Sequence, residues 1–335
     1  MNKLQKLKNQ LSSSYKKEII FNLSPASGYR SRCEFGYKNG SYTMVKDGKK
    51  VLLDHFDLPV SAIQNIMKPL LEAINTNPLI NKKLFQINFR AVNQIVLVTL
   101  IYHKQLDQNW LESARVIETK LDINVLGRSK NQLLATHLTE LEQYIDINPS
   151  YYLYQNDKTF YQPNAFLMPK MVKLVISLIK NPRDLLELYC GSGTFTIPLS
   201  YSFKNVFATE NNRESISYLK KSIHKNHIKN IFYARLSDIE LMDAYKGRIF
   251  RRLENIDLKN FNFSHVLVDP PRSGLSHNVT EILNKFENII YISCNPDTFK
   301  RDLDKLKDYR IKKLEVFDQF SNTPHLELIA LLIKR

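Results

Sequence analysis

Cysteine is scarce in this sequence: 335 residues hold three, Cys33, Cys190 and Cys294, far apart and in no C-x-x-C pair. That excludes a disulfide framework and a four-cysteine zinc site, and it fits a reduced, cytoplasmic protein. Long apolar runs are missing too. No stretch approaches the length of a membrane span, and the basic start, Met1 to Lys8, gives way to polar Asn9 and Gln10 rather than to the apolar core of a signal peptide. The 9 glycines and 13 prolines are scattered and form no repeat, so neither a solenoid nor a fibrous protein is expected.

What is present is a chain with 43% hydrophobic residues, long enough to bury a core and to make two domains of ordinary size. The formal charge of +15 favours a polyanionic partner, because Lys and Arg that neutralise phosphates release condensed counterions. Nucleic acid leads that class; a solvated basic surface is the competing reading.

Residues 1–155 read as mixed α+β. An amphipathic helix carries Leu4, Leu7 and Leu11, and alternating strands follow at Cys33–Tyr37. The runs 85–90 and 94–100 flank a hairpin at Ala91-Val92-Asn93, and 60–75 and 108–120 have helical spacing. From Gln162 the pattern becomes α/β, with a helix over 164–180, a strand over 184–189 and further short apolar runs at 205–209, 264–268, 288–293, 312–317 and 326–333. That spacing predicts a doubly wound parallel sheet in 156–335 that ends in an antiparallel hairpin, with ligands at the carboxyl ends of its strands.

The chemical motifs fall at those ends. Leu186 to Phe195 is a strand entering a Gly191-x-Gly193 turn, where missing side chains admit a ligand close to the backbone. A third glycine is absent, which favours a nucleoside over a dinucleotide; a tight turn with no ligand competes. Glu210 ends the next strand, placed to accept hydrogen bonds from a ribose or simply to start a helix in solvent. Asp269-Pro270-Pro271-Arg272 holds an acid rigidly at a strand end and there resembles the base-modifying S-adenosylmethionine-dependent methyltransferases; a turn carboxylate with no ligand competes. Cys294 ends an apolar strand, with Asn295 as N-cap and Pro296 as first residue of a helix, so its thiol pKa is expected to be lowered; a small core hydrophobe is the competing reading. Glu327 opens the last strand, as a general base or as a solvated strand glutamate, and His325 stays unassigned.

In combination, Phe160-Tyr161-Gln162-Pro163-Asn164, Leu186-Glu187-Leu188-Tyr189-Cys190-Gly191-Ser192-Gly193, Asp269-Pro270-Pro271-Arg272-Ser273-Gly274-Leu275 and Ile292-Ser293-Cys294-Asn295-Pro296 closely resemble the RNA uracil-5-methyltransferases. The resemblance continues through Tyr29-Arg30-Ser31-Arg32-Cys33-Glu34-Phe35 and Lys83-Leu84-Phe85-Gln86-Ile87. It is greatest to the bacterial tRNA-modifying branch, which makes the ribothymidine of the T-loop and also acts on transfer-messenger RNA (tmRNA).

The resemblance implies a Rossmann-like S-adenosylmethionine-dependent catalytic domain at 156–335 and an α+β RNA-binding domain at 1–155. It implies cofactor contacts from Gln162, Tyr189, Glu210, Asp269 and Thr194, the last at a position usually held by Asn. Cys294 falls on the nucleophile and Glu327 on the base. A thiolate adding to carbon 6 makes carbon 5 of uracil a nucleophile, and a base then removes the hydrogen there. Relatives acting on ribosomal RNA often carry an oligonucleotide-binding barrel and an iron-sulfur site, for which this sequence has too few cysteines. The expected partners are therefore tRNA and tmRNA, for a monomeric protein without metal or membrane; a ribosomal RNA substrate, or an RNA-binding relative without catalysis, are the alternatives. The uridine must leave its stack, and Phe85 is read equally as filler of that stack or as a strand core residue. Arg30 and Arg32 are RNA-contact candidates on the same footing.

Overall fold

The computed structural model describes residues 3–46, 48–321 and 323–335. Its centre is an eight-stranded sheet in which Ile231–Arg235, Asn205–Glu210, Asp184–Leu188, Phe263–Val268 and Asn288–Ser293 lie parallel, in that order. These strands are nearly continuous apolar runs because both sheet faces are covered. Leu186 and Leu188 belong to one core layer and Leu185 to the other. Glu327–Lys334 runs antiparallel between Asn288–Ser293 and Tyr309–Asp318, which is the expected final hairpin. The strand order reverses between Asp184–Leu188 and Phe263–Val268, so the crevice for a ligand opens at their carboxyl ends.

The helix expected over 164–180 is shorter, Met168–Leu178. The Asn164 side chain accepts hydrogen bonds from Phe166 N and Leu167 N at 3.1 and 2.9 Å, which holds a turn where the helix would begin.

Two segments within residues 1–155 pack with the large sheet. The helix Lys3–Leu11 buries Leu7 and Leu11 in a core layer of the large sheet, and Ile20–Leu23 extends that sheet, parallel to Tyr309–Asp318. Further on, the hairpin of Leu141–Ile145 and Tyr151–Gln155 adds Ile145, Tyr151 and Leu153 to the other layer. Asn226, at the end of the helix Arg213–Lys225, holds it by pairing with both Tyr152 N and Tyr152 O, at 2.8 and 2.7 Å. Local pattern marks such segments as strand but does not say which sheet they join, since pairing is set by distant partners.

The separate N-terminal unit is a seven-stranded sheet between Arg32 and Ala135. Its apolar face packs Ile87, Phe89 and Val98 against Ile63 and Leu70 of Ser61–Asn75 and Trp110 of Gln108–Leu121. Its polar face meets the segment leading into the large sheet. Arg90, 1% exposed, donates to Thr159 O at 3.2 Å, approaches Asp157 Oδ1 at 3.8 Å and lies 4.7 Å from the Tyr161 ring. Asp157 also accepts from Arg128 Nη1 at 2.6 Å and Asn88 Nδ2 at 3.1 Å. A buried carboxylate is tolerable because three cationic or amide donors surround it.

Candidate active site

The strand Asp184–Leu188 runs into a turn with Tyr189 at φ 61°, Gly191 at 56° and Gly193 at 99°. A Cβ on Gly193 would stand 2.7 Å from Leu219 Cδ1, so only glycine admits the helix this close. A Cβ on Gly191 would meet no atom within 4 Å, which leaves a bare backbone edge facing open space. Glu210 fastens the turn: its carboxylate accepts from Gly191 N at 3.1 Å and from Asn212 N at 2.7 Å. The remaining lone pairs suit a pair of vicinal hydroxyls.

These groups border a cavity of about 600 Å³, a size that holds a nucleoside-bearing ligand. Gln162, Tyr189, Gly191, Glu210 and Asp269 line it together with Cys294 and Glu327, so the expected cofactor and catalytic positions converge from several strand ends. Gln162 is buried, and its Oε1 accepts from Gln319 Nε2 at 2.7 Å. Thr194, assigned by resemblance, is not among the lining residues.

Below the turn, Glu187 is 1% exposed and its Oε2 has no hydrogen-bond partner. Burial pushes its carboxyl up to about 8. Desolvation also pushes Asp269 up to about 7. Glu327 is raised well above the ordinary carboxyl range, by burial first and by the neighbouring Asp269 second, against the opposing pull of Arg272. Two carboxyls this close and this buried share protons in preference to ionising together.

The lowered pKa expected for Cys294 is not what the structure contains. Burial, then Glu327 and Asp269, push the thiol up to about 11, and Arg272 pulls it down only in part. The helix that follows, Pro296–Leu303, is eight residues long; its first residue has no N–H, and Asn295 Oδ1 already accepts from Asp297 N at 3.1 Å. The helix end offers the sulfur too little to offset two nearby acids.

Among the RNA-contact candidates, Phe85 is released from the core by a bulge between Leu84 and Gln86. Leu84 and Ile87 both enter the apolar layer, while Phe85 stays half-buried and stacks on His103 at 3.9 Å. Arg30 lies 5.4 Å from the ring of Phe320, which lines the cavity, and Arg32 pairs with Glu34. Sequence reasoning assigned no role to Glu187, Phe160 or Arg272, although each sits inside a quoted motif, nor to Lys158 or Phe320. For Phe320 no local signal exists, since only the hairpin's return brings it to the site. Among the described residues there is no group of three or more His, Cys, Asp or Glu that could hold a metal, and no helix is long and apolar enough to cross a membrane.

The model of the family described as tRNA (Uracil-5-)-methyltransferase matches residues 1–335. The chain belongs to this family. A tRNA/tmRNA (uracil-C(5))-methyltransferase of Campylobacter concisus is 42% identical over 322 residues, spanning 93% of this chain and 88% of that protein. One from Saccharophagus degradans is 39% identical over 341 residues, 98% of this chain and 93% of that protein. Among solved structures, Pyrococcus abyssi tRNA (uracil-54, C5)-methyltransferase in complex with S-adenosyl-L-homocysteine covers 99% of this chain and 82% of its own, with TM-score 0.78 at 23% identity. The shared architecture is the Rossmann-like fold of S-adenosylmethionine-dependent methyltransferases, in line with the α/β class expected from sequence.

Proposed function

We propose that this protein methylates carbon 5 of a uridine in tRNA, the T-loop uridine that becomes ribothymidine, and in the equivalent loop of tmRNA, through a covalent bond to Cys294. The observation that carries this reading is that Cys294 and Glu327 line the same cavity as the Gly191 turn and Glu210. Glu210, Gln162, Tyr189 and Asp269 would hold S-adenosylmethionine there, and it would supply an electrophilic methyl group and leave as the neutral thioether.

In the free protein the Cys294 thiol keeps its proton, so the thiolate forms in the complex by losing that proton to solvent, which leaves Glu327 as the carboxylate for the later step. Sγ adds to carbon 6 of the uracil, and the displaced electron pair makes carbon 5 the atom that receives the methyl. Glu327 takes the hydrogen from carbon 5 as a proton. The electron pair it leaves restores the ring double bond, and Cys294 departs. A carboxylate of raised pKa is the stronger base for that C–H bond.

The seven-stranded unit is assigned to RNA recognition, with Phe85 filling the gap in the RNA stack and Arg30 and Arg32 near the entry. The relatives named for tRNA and tmRNA favour those substrates over ribosomal RNA, and a cytoplasmic location is the reading that goes with them. The test is tRNA carrying 5-fluorouridine, since fluorine is not removed as a proton is. An adduct stable in denaturant is expected. A complex that falls apart in denaturant makes the protein an RNA-binding relative without catalysis, and an adduct with ribosomal RNA alone moves the substrate.

A further inference from the structure

A second cavity, of about 320 Å³, adjoins the first. Cys294 and Arg272 line both cavities, and no other residue does, so they form the partition. The rest of the second wall comes from the helix Lys3–Leu11, through Lys3, Lys6 and Gln10, and from His325 and Asp297. This helix packs on the catalytic sheet and not on the N-terminal unit.

Its charges are unequal in their ties. Lys3 Nζ is fully engaged, with Asp318 Oδ1 at 2.6 Å and the carbonyls of Phe320, Ser321 and Thr323 at 3.0, 3.1 and 2.8 Å. Asp297, the acid of the cavity, accepts from Gln10 Nε2 at 2.9 Å. Lys6 and Arg272 are exposed, and among the described residues neither side chain has an ion pair or a hydrogen bond. The cavity beside the nucleophile thus carries two cations, Lys6 and Arg272, in no ion pair among the described residues, against the one carboxylate of Asp297.

Ring chemistry says what enters. Carbon 6, which bonds Cys294, is flanked by carbon 5 on one side and by nitrogen 1 on the other. Carbon 5 must face the cofactor cavity, so nitrogen 1, which bears the ribose, faces away across the partition. We propose that the second cavity receives the ribose-phosphate of the target uridine and that Lys6, from the helix Lys3–Leu11, contacts its phosphate. The inference rests on the reading of Cys294 given above. It makes a helix outside the recognition unit a part of the RNA site, and Lys3 the clasp that holds that helix against the loop leading to Glu327.

The test uses the full-length protein and an unmodified tRNA transcript. Lys6→Ala is expected to raise KM for RNA about tenfold, the loss of one charge-assisted contact. It should make the dependence of log(kcat/KM) on log salt shallower by about 0.7. At saturating RNA, kcat and S-adenosylmethionine affinity should hold, and the Tm should too, since Lys6 supports no other group. Lys259→Ala, an exposed lysine remote from both cavities, should change none of these. An uncharged methylphosphonate at one phosphate flanking the target uridine should impose the same KM increase on the natural protein and none further on Lys6→Ala. If Lys6→Ala matches Lys259→Ala, or if the two losses multiply, the phosphate subsite is wrong although 5-fluorouridine adducts form. If the natural protein forms no adduct, the reading of Cys294 fails and this inference falls with it.

Discussion

Replacing Asp302 by alanine tests how the Asp269–Leu275 segment is held. Asp302 is fully buried, and its Oδ2 accepts from Tyr291 Oη at 2.8 Å and from Leu275 N at 2.8 Å, while Oδ1 accepts from Arg301 Nε at 2.9 Å. Arg301 also donates to Ser273 O at 2.9 Å. The carboxylate therefore joins the nucleophile strand, the helix after it and the loop bearing Asp269 and Arg272. Alanine leaves the Tyr291 hydroxyl and the Leu275 N–H buried and unpaired, at about 1–3 kcal/mol each, whereas half-exposed Arg301 regains water. The expected destabilisation is about 4 kcal/mol, within the range for breaking a buried ionic contact. At roughly 2 °C per kcal/mol in a chain of this size, Tm falls by about 8 °C. Tyr291→Phe removes one donor only and should cost about 1 kcal/mol. Thermal unfolding followed by circular dichroism measures both, and kcat/KM measured well below Tm should fall for Asp302→Ala as the loop loosens. A Tm within about 2 °C of the natural protein's would refute the account, because two unpaired buried donors cannot be that cheap.

Cys294→Ala should abolish methylation and adduct formation while RNA affinity is largely kept; normal turnover would remove the nucleophile assignment. Glu327→Gln should accumulate a methylated protein–RNA adduct on denaturing gels, and free turnover would reassign the base. Arg272 draws the Cys294 thiol downward, so Arg272→Ala should shift the alkaline rise of kcat/KM to higher pH; a shift to lower pH would contradict the electrostatics. The Glu187 carboxyl is raised in the folded state, so its stabilising effect is present below about pH 4.5 and is lost as pH rises toward about 8. Glu187→Gln should therefore gain in Tm over the natural protein as pH rises through that window, and a constant difference would count against the buried acid.

The sheet was legible in the sequence because parallel strands covered on both sides read as apolar runs, and the site because its residues sit where those runs end. Strand ends gave the places of Glu210, Asp269, Cys294 and Glu327, and the family resemblance their expected roles. The acidity of Cys294 was misread because a helix start is visible in sequence, whereas the Glu327 carboxyl beside the sulfur comes from a strand formed much later in the chain. Phe85 was ambiguous for a related reason. Strict alternation would place it with Ile87 and Phe89 in the core, and the bulge that frees it depends on how Leu84 and Gln86 pair with the next strand. The packing of Lys3–Leu11 on the catalytic sheet was hidden altogether, since amphipathic spacing gives a face but not its partner.

The contact of Lys3 with Asp318 spans 315 positions, and Ile20–Leu23 finds its strand partner only at Tyr309–Asp318. On the ribosome, at 5–20 residues per second, the early segment waits roughly 15 to 60 s for that partner to be synthesised. Until then the seven-stranded sheet already has all of its own strands, between Arg32 and Ala135. The chamber proposed around Cys294 and Glu327 is therefore closed only once the strand Glu327–Lys334 has been synthesised.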